Sequence, residues 1–313
     1  MNWALLSLAG LLFGAQAAHG GREVAITVDD LPAAQAGAHG CEWASLESLT
    51  RRLLTPIRKG RVPVTAFVIA GHCTELPVER RRAVFTMWRD AGAELGNHSY
   101  SHPDLNSTSI ADYEADILRA AAALRETIGV ERLRWFRSPM LHTGPDPATK
   151  ARLAAFLSEH GWRQAPVTFD NSDWMFAYVY RDAREHGDLE LAKRVRETYL
   201  PYLESVIAFF ETRSVEVVGR EFPQVLLLHA NELNAEMLPD ILAMLRRRAY
   251  RFVSLESALS DPAYALPDEY AGRGGFSWIH RWSITKKMPN KGEPDEPAWL
   301  RERYERITES QRR

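Results

Sequence analysis

Two short segments of this 313-residue chain carry side chains that bind metal ions or transfer protons. Asp29 and Asp30 are adjacent, and their charges repel each other unless a cation or hydrogen-bond donors offset the repulsion. His98 and His102 lie four residues apart, and Pro103 disfavours a helix at His102, so the pair is predicted to lie in a tight loop. Two imidazoles and one carboxylate form a three-ligand site with an open position, which is typical of catalytic rather than structural zinc.

Three later segments extend this pattern: Phe136-Arg137-Ser138-Pro139-Met140, Asp170-Asn171-Ser172-Asp173-Trp174 and Leu226-Leu227-Leu228-His229. With the two segments above, they resemble in order and context the motifs of the polysaccharide deacetylase family, the NodB-homology carbohydrate esterases. The family pattern is T-F-D-D-G, H-[ST]-x-x-H, R-x-P, D-x-x-D-W and L-x-H. The resemblance covers roughly residues 22 to 260.

The resemblance implies a catalytic role for four residues. Asp29 matches the family's general base, and Arg137 matches the arginine that positions this base. His229 matches the general acid, and Asp173 matches the carboxylate that supports it. These roles agree with the needs of amide hydrolysis, which requires a base for the attacking water and an acid for the departing amine.

The resemblance also implies a metal centre and a substrate. Asp30, His98 and His102 match the metal ligands, and one divalent ion is expected: zinc first, with cobalt, nickel or manganese as alternatives. Such an ion polarises the carbonyl and lowers the pKa of the water that serves as nucleophile. Contacts to the substrate are expected from three residues, namely Trp174, Met140 and Leu227. The backbone N–H of Met140 would, with the metal, stabilise the oxyanion.

The reaction expected from the resemblance is hydrolysis of carbon–nitrogen amide bonds other than peptide bonds. It would remove N-acetyl groups or, as a second choice, O-acetyl groups from a glycan. Two alternatives remain open: hydrolysis of small amides or cyclic ureides on the same scaffold, and an inactive glycan-binding protein. A serine hydrolase is excluded as a third class because the chain has no G-x-S-x-G segment.

Two positions depart from the family pattern. Leu31 replaces the usual glycine after the aspartate pair, in a turn where unusual dihedral angles are expected. Met140 replaces an aromatic residue, which leaves one wall of the sugar pocket less able to stack on a pyranose ring. Both departures concern the identity of the substrate more than the proton-transfer groups. His39, His72 and His142 follow predicted strands, and surface or structural roles are favoured over a place in the cleft.

The elements that must position these residues alternate between strands and helices. Apolar strand-like runs such as Val24–Val28, Val64–Ile69 and Val225–Leu228 are separated by helical patterns such as 110–128, which closes at Gly129. This order predicts an α/β fold, a distorted (β/α) barrel of seven or eight strands with its site at the carboxyl ends of the strands. A short strand is expected at 167–169 and helix over 183–218, with a break at Pro201; the aromatic residues of that stretch are expected to serve packing.

The amino-terminal residues indicate the compartment. Residues 1–18 combine a short apolar run with an Ala-Gln-Ala segment, which is typical of a signal peptide, although no Lys or Arg precedes the run. We therefore expect an exported protein, periplasmic or secreted, without stable membrane insertion after cleavage. In such a compartment a disulfide persists, and for Cys41 and Cys73 a bridge and free thiols remain equally open.

Composition sets the remaining limits. The formal net charge is −2, which argues against a nucleic-acid partner. The catalytic domain is expected to span 22–260, followed at 261–313 by a C-terminal extension that packs on the domain or trails it and ends in a helix. The sequence does not specify an oligomeric state.

Overall fold

The structure is a computed structural model that describes residues 21–34, 40–129 and 133–311. The predicted signal peptide at 1–18 and His39 lie outside these residues. Within the described ranges, no helix is both long and apolar enough to cross a bilayer.

A parallel sheet of seven strands forms the centre of the described part of the chain. The strands run in the order β5-β4-β3-β2-β1-β6, and β7 pairs with the first residues of β1. Their bounds are β1 Glu23–Leu31, β2 Val64–Val68, β3 Glu94–Asn97, β4 Trp135–Phe136, β5 Arg163–Gln164, β6 Gln224–His229 and β7 Arg251–Phe252. Strands β1 and β2 are buried almost throughout, as expected for parallel strands covered on both faces.

One stretch of chain, residues 163–169, closes the sheet into a distorted barrel. At its start, the Arg163 and Ala165 N–H groups donate to carbonyls of the β4 region. At its end, the Phe169 N–H donates to the carbonyl of Val225 in β6, and the Leu227 N–H donates back to the Phe169 carbonyl. The same stretch therefore joins both edges of the open sheet, which confirms the predicted distorted (β/α) barrel with seven strands.

Helices cover the outside of the barrel. Their bounds are α1 Trp43–Gly60, α2 Val78–Asp90, α3 Ile110–Ile128, α4 Pro147–Glu159, α5 Asp173–Glu185, α6 Leu189–Val218, α7 Glu232–Arg247, α8 Leu255–Leu259, α9 Trp278–Thr285 and α10 Ala298–Gln311. Helix α3 shows how local sequence sets such bounds. The Ser109 side chain accepts the Asp112 N–H at its start, and Gly129 ends it in the left-handed conformation, with φ 64°.

The structure corrects two of these predictions. Pro201 does not break the helix: α6 continues through it, and Tyr199 and Leu203 on either side are fully buried, so tertiary packing outweighs the lost hydrogen bond. The strand expected at 167–169 is only an isolated bridge between Phe169 and Leu226, because the chain crosses there from β4 to β6. Residues 183–218 are mostly helical, as predicted, and the chain passes from α5 to α6 at Gly187, with φ 70°.

The apolar residues of α6 do pack into the core, as predicted. Tyr199, Leu203, Val206 and Phe210 are fully buried, and Phe210 contacts Phe169 at the barrel wall. The sequence patterns did not predict helix α9, although its Trp282 is buried against Phe222 and Tyr264. Cys41 and Cys73 form a disulfide that links the chain before α1 to the loop after β2.

Candidate active site

Strand pairing brings the predicted residues to one end of the barrel. Asp29 in β1 lies directly beside His229 in β6, and Thr27 lies beside Leu227 two residues earlier. His98 follows the last residue of β3, and Arg137 follows β4. The carboxyl ends of parallel strands meet at one rim, so these side chains converge there.

Asp30, His98 and His102 form a compact cluster at this rim. One ligand atom from each residue lies within 4.8 Å of the others, and the His98 and His102 Nε2 atoms lie 3.2 and 3.5 Å from Asp30 Oδ1. Asp30 Oδ1 is buried and has no hydrogen-bond partner among the described residues. A buried carboxylate oxygen without a donor is unfavourable. Two imidazole nitrogens around it form the donor set of a divalent metal, so these residues fit such an ion.

Protonation at the cluster also suits a metal ion. Burial lowers the pKa of His102 to about 4, and the charge of His98 acts in the same direction, so the His102 imidazole is neutral near pH 7. Burial acts to raise the pKa of Asp30, but the neighbouring His98 imidazole and the charge of His229 outweigh it and keep that pKa below its usual range. A neutral imidazole and an ionised carboxylate are the ligand forms that metals bind.

The histidine loop is held in place by its own surroundings. His98 Nδ1 lies 2.8 Å from the Arg137 carbonyl, which can only accept, so Nδ1 carries the proton and Nε2 faces Asp30. Asp116 on α3 accepts the backbone N–H groups of Tyr100 and Ser101 at 2.7 and 3.0 Å. The segment is a loop rather than a helix, as predicted.

Asp29 lies behind the cluster against a buried guanidinium. Arg137 Nη1 donates to Asp29 Oδ2 at 3.3 Å, and Arg137 Nη2 donates to the Thr27 hydroxyl at 3.2 Å. Burial lowers the pKa of Arg137, and the charge of Asp29 acts in the opposite direction. The second oxygen, Asp29 Oδ1, has no hydrogen-bond partner among the described residues. Arg137 thus fixes one carboxylate oxygen and leaves the other without a protein donor.

His229, at the end of the neighbouring strand β6, lines the same cleft and is oriented by Asp173. Nδ1 of His229 donates to Asp173 Oδ1 at 2.6 Å, and its backbone N–H donates to Asp173 Oδ2 at 2.8 Å. Asn234 also donates to Asp173 Oδ2, and the Tyr199 hydroxyl donates to the Asn234 side-chain oxygen. Burial opposes protonation of His229, but the charge of Asp173 and the hydrogen bond to it raise the pKa of His229 to about 10. The imidazole is therefore a protonated donor near pH 7.

A cleft of about 530 Å³ connects the cluster to His229. Its lining includes most of the predicted site residues, namely Asp29, Asp30, His98, His102, Met140, Trp174, Leu227 and His229. Arg137 and Asp173, which are fully buried, lie behind the lining and contact Asp29 and His229. The structure thus brings together every site residue predicted from the motifs.

The cleft also contains residues that the motifs did not single out. His72 and His142 line it, contrary to the surface or structural roles favoured for them, because the loops after β2 and β4 fold over the rim. Burial raises the pKa of Asp170, another lining residue, to about 7, while the Asn171 N–H acts to lower it. Asp170 belongs to the same sequence motif as Asp173, so the sequence could have identified it as a site residue. Gly275 lines the cleft from the C-terminal extension, and no sequence motif pointed to it.

The left-handed residue of the first motif is Asp30, with φ 63°, rather than Leu31. Leu31 stays in β1, pairs with Val68 and is buried, so the expected strain at Leu31 is wrong in position. Met140, which replaces the aromatic residue of the family pattern, is 42% exposed and has a φ of 55°. A flexible side chain therefore forms this part of the cleft wall.

The fold and the site together define a (β/α)-barrel protein with a candidate hydrolytic centre at the carboxyl ends of its strands. Residues 16–162 match the family described as "Polysaccharide deacetylase". This match over nearly half of the chain supports the resemblance that its five segments predicted. The match includes the cluster and Arg137 and ends before Asp173 and His229.

Two curated proteins and several solved structures resemble part of this chain. A chitooligosaccharide deacetylase from Sinorhizobium fredii is 30% identical over 125 residues, which are 40% of this chain and 53% of that protein. A second one, from a Bradyrhizobium species, is 32% identical over 125 residues, or 40% and 52% of the two chains. This chain thus spans about half the length of these curated relatives. Among solved structures, a peptidoglycan deacetylase from Bacillus subtilis has a TM-score of 0.49 at 17% identity, with 79% of this chain and 95% of that chain covered.

Proposed function

We propose that this protein is a metal-dependent deacetylase that hydrolyses N-acetyl groups on a glycan. The observation that carries the proposal is the lining of one cleft, in which a three-ligand cluster, a base and a protonated histidine occur together. Hydrolysis of an amide requires these groups together.

Asp30, His98 and His102 would hold the metal, and zinc suits two imidazoles and a carboxylate best. When bound, such an ion supplies a Lewis acid that polarises the acetyl carbonyl. The orphaned Asp30 Oδ1 supports this assignment, because a cation would satisfy it.

Asp29 would be the general base. Arg137 holds its Oδ2, so Oδ1 is left to accept the proton of the attacking water. Its position beside His229 in the sheet places base and acid on the same face of the cleft. The backbone N–H of Met140 would stabilise the charge that develops on the carbonyl oxygen.

His229 would donate the proton to the departing nitrogen. Asp173 fixes its tautomer with Nδ1–H, so Nε2 is the atom that transfers the proton. The nitrogen of an amide leaves only after it is protonated, whereas the sugar oxygen of an acetate ester is a better leaving group. A histidine whose pKa is raised to about 10 therefore supports N-deacetylation over O-deacetylation.

The substrate class is proposed from the cleft and from the named relatives. Trp174 offers an aromatic surface for a pyranose ring, and Leu227 and Met140 add apolar contact. Two relatives are named chitooligosaccharide deacetylases, which supports an N-acetylated amino sugar as the first substrate to test.

The test is acetate release from chitooligosaccharides, peptidoglycan and acetylated xylan, each with and without a chelator. We expect release from an N-acetylated glycan that stops with chelator and returns with zinc. Hydrolysis of a small amide or cyclic ureide, without acetate release from any glycan, would instead identify the alternative hydrolase. Binding of a glycan without any release would identify a glycan-binding protein.

We also propose that the mature protein is exported to the periplasm or secreted. The apolar run followed by Ala-Gln-Ala in residues 1–18 and the disulfide between Cys41 and Cys73 support this proposal. Amino-terminal sequencing of the native protein is expected to begin near residue 19. A mature protein that retains residues 1–18 would contradict cleavage.

A further inference from the structure

We propose that residues 268–281 of the C-terminal extension, here named the strap, hold the Ser138–His142 loop in its active position through a backbone contact at Gly275. The inference rests on the proposed function, since this loop carries the Met140 N–H. It assigns Gly275 as a positioning residue. It also makes the extension part of the catalytic unit.

The loop needs external support because of its backbone conformation. Met140 and Leu141 have φ values of 55° and 56°, two consecutive non-glycine residues in the left-handed region. Each such residue is in an unfavourable conformation that persists only where the surrounding structure enforces it. The two hydrogen bonds within the loop, from Leu141 N–H to the Ser138 carbonyl and from His142 N–H to the Pro139 carbonyl, are short-range and common to many turns.

Gly275 packs its backbone directly against this loop. A Cβ atom at Gly275 would lie 1.9 Å from the Met140 carbonyl oxygen and 3.3 Å from His142 Cδ2. The first distance is shorter than an ordinary contact by about 1 Å or more. The φ of Gly275 is outside the left-handed region, so space rather than backbone conformation requires glycine here.

Polar contacts fasten the strap to the chain on both sides of Gly275. The Lys150 ammonium group donates to the carbonyls of Asp268 and Tyr270 and pairs with the Asp268 carboxylate at 3.0 Å. The fully buried Arg281 donates to the Thr143 hydroxyl at 2.6 Å and pairs with Asp268 at 2.7 Å. The strap therefore cannot slide away from the loop without breaking buried polar contacts.

A third set of contacts joins the strap and the loop to the segment that follows His102. His142 Nδ1 lies 2.7 Å from Asp104 Oδ1, and the Asn106 amide donates to the Arg273 carbonyl at 2.9 Å. The Arg273 guanidinium donates back to the Asn106 carbonyl. The Met140 loop is thus held between the segment after His102 and the strap, with Gly275 as the point of closest approach.

The test compares Gly275→Ala with Gly274→Ala. At Gly274 a Cβ atom would meet the ring atoms of Phe276 and the Tyr270 hydroxyl, which are side-chain ends and can move aside. We expect Gly275→Ala to lower kcat about 100-fold, because a displacement of about 1 Å in a catalytic group has an effect of that size. KM and zinc affinity should change little. Gly274→Ala should keep the kcat of the unmodified protein.

A second measurement does not depend on turnover. With ¹³C-methyl methionine, the Met140 methyl signal, assigned through Met140→Leu, should move in Gly275→Ala and stay in place in Gly274→Ala. If the unmodified protein releases no acetate from any glycan, the proposed function fails, and the methyl signal alone decides the role of the strap. Equal kcat and an unmoved methyl signal in Gly275→Ala would overturn the inference.

Lys150→Met provides a second variant if Gly275→Ala does not fold. It retains the aliphatic stem of the side chain and removes the ammonium group that holds the strap. We expect the Met140 methyl signal to move in the same direction by a smaller amount, and kcat to fall less. A methyl signal identical to that of the unmodified protein would overturn the inference in this variant as well.

Discussion

Two groups of residues at the cleft are built in opposite ways. The first, here called the metal side, is the three-ligand cluster with Asp29, and the second, here called the acid side, is His229 with Asp173. On the metal side, the carboxylates at the end of β1 have oxygens without donors, and Asp30, Ser99 and His102 all have positive φ. On the acid side, both oxygens of Asp173 accept hydrogen bonds from His229 or Asn234. The metal side is therefore incomplete without a ligand, whereas the acid side is complete in the protein alone.

This difference shows what each side needs in order to function. Orphaned oxygens and imidazole nitrogens form a centre that gains stability when a cation enters. A fully bonded Asp173 instead fixes the tautomer of His229 and raises its pKa to about 10, so the proposed acid carries its proton in the protein alone. Changes to the three ligands should therefore alter metal binding, whereas changes to His229 or Asp173 should leave metal binding intact.

The largest expected effect comes from removing a ligand on the metal side. His98→Ala or His102→Ala should weaken zinc binding by more than about 100-fold, since even partners of ligands contribute 10–100-fold. Acetate release should fall to background. Zinc titration by calorimetry measures this change. His72→Ala is the matched control, because His72 lines the cleft outside the cluster and should retain zinc affinity. Unchanged zinc affinity in both ligand variants would contradict the proposal that these histidines bind the metal.

The next effect concerns the acid side. His229→Ala should lower kcat on an N-acetyl sugar by about 10²–10⁴-fold, the usual contribution of a general acid, with zinc affinity unchanged. The loss should be smaller on an activated acetate ester, whose leaving group needs little protonation. Measurement of kcat/KM on both substrates tests the role. Equal losses on the two substrates would show that His229 acts in another way, such as shaping the pocket.

The smallest effect is a change in stability with pH. The pKa of His229 in the folded protein is raised above its ordinary value of 6.5 to about 10. The His229–Asp173 pair therefore stabilises the fold fully below about pH 6.5, and this contribution is lost as the pH rises through about 10. Asp173→Asn should lower the unfolding free energy of the metal-free protein by about 1–3 kcal/mol near pH 7.

Urea unfolding at several pH values measures the effect of Asp173→Asn. The gap between the variant and the unmodified protein should narrow as the pH rises toward about 10. Asn234→Ala serves as a companion variant, because it removes one donor to Asp173 and leaves the charge. A gap that stays constant with pH would show that the pair does not raise the pKa of His229.

The metal side was predictable from sequence because its residues occur in short segments that directly follow strands. Asp29, Asp30, His98 and His102 needed only the strand ends to bring them together. The acid side was predictable in part: Asp173 and His229 belong to motifs, but Asn234 and Tyr199 complete the hydrogen bonds from α7 and α6. These helices carry no local pattern that points to the site.

The remaining errors arise from tertiary structure. Pro201 was expected to break a helix, but packing of α6 against the barrel keeps it continuous. Gly275 is 135 residues beyond Met140 in the chain, and only the folded strap shows that the two touch. Local helix and strand propensities do not predict contacts between residues so far apart in the chain.

The most direct test of the division between the two aspartates is a zinc titration of Asp29→Asn and Asp30→Asn, with kcat measured on the same samples. Asp29→Asn should bind one zinc ion with nearly unchanged affinity and lose turnover by about 10²–10⁴-fold, because it removes the base and keeps the ligand. Asp30→Asn should lose zinc affinity and turnover together. Loss of zinc binding in Asp29→Asn with retention in Asp30→Asn would contradict the assignment and reverse the two roles.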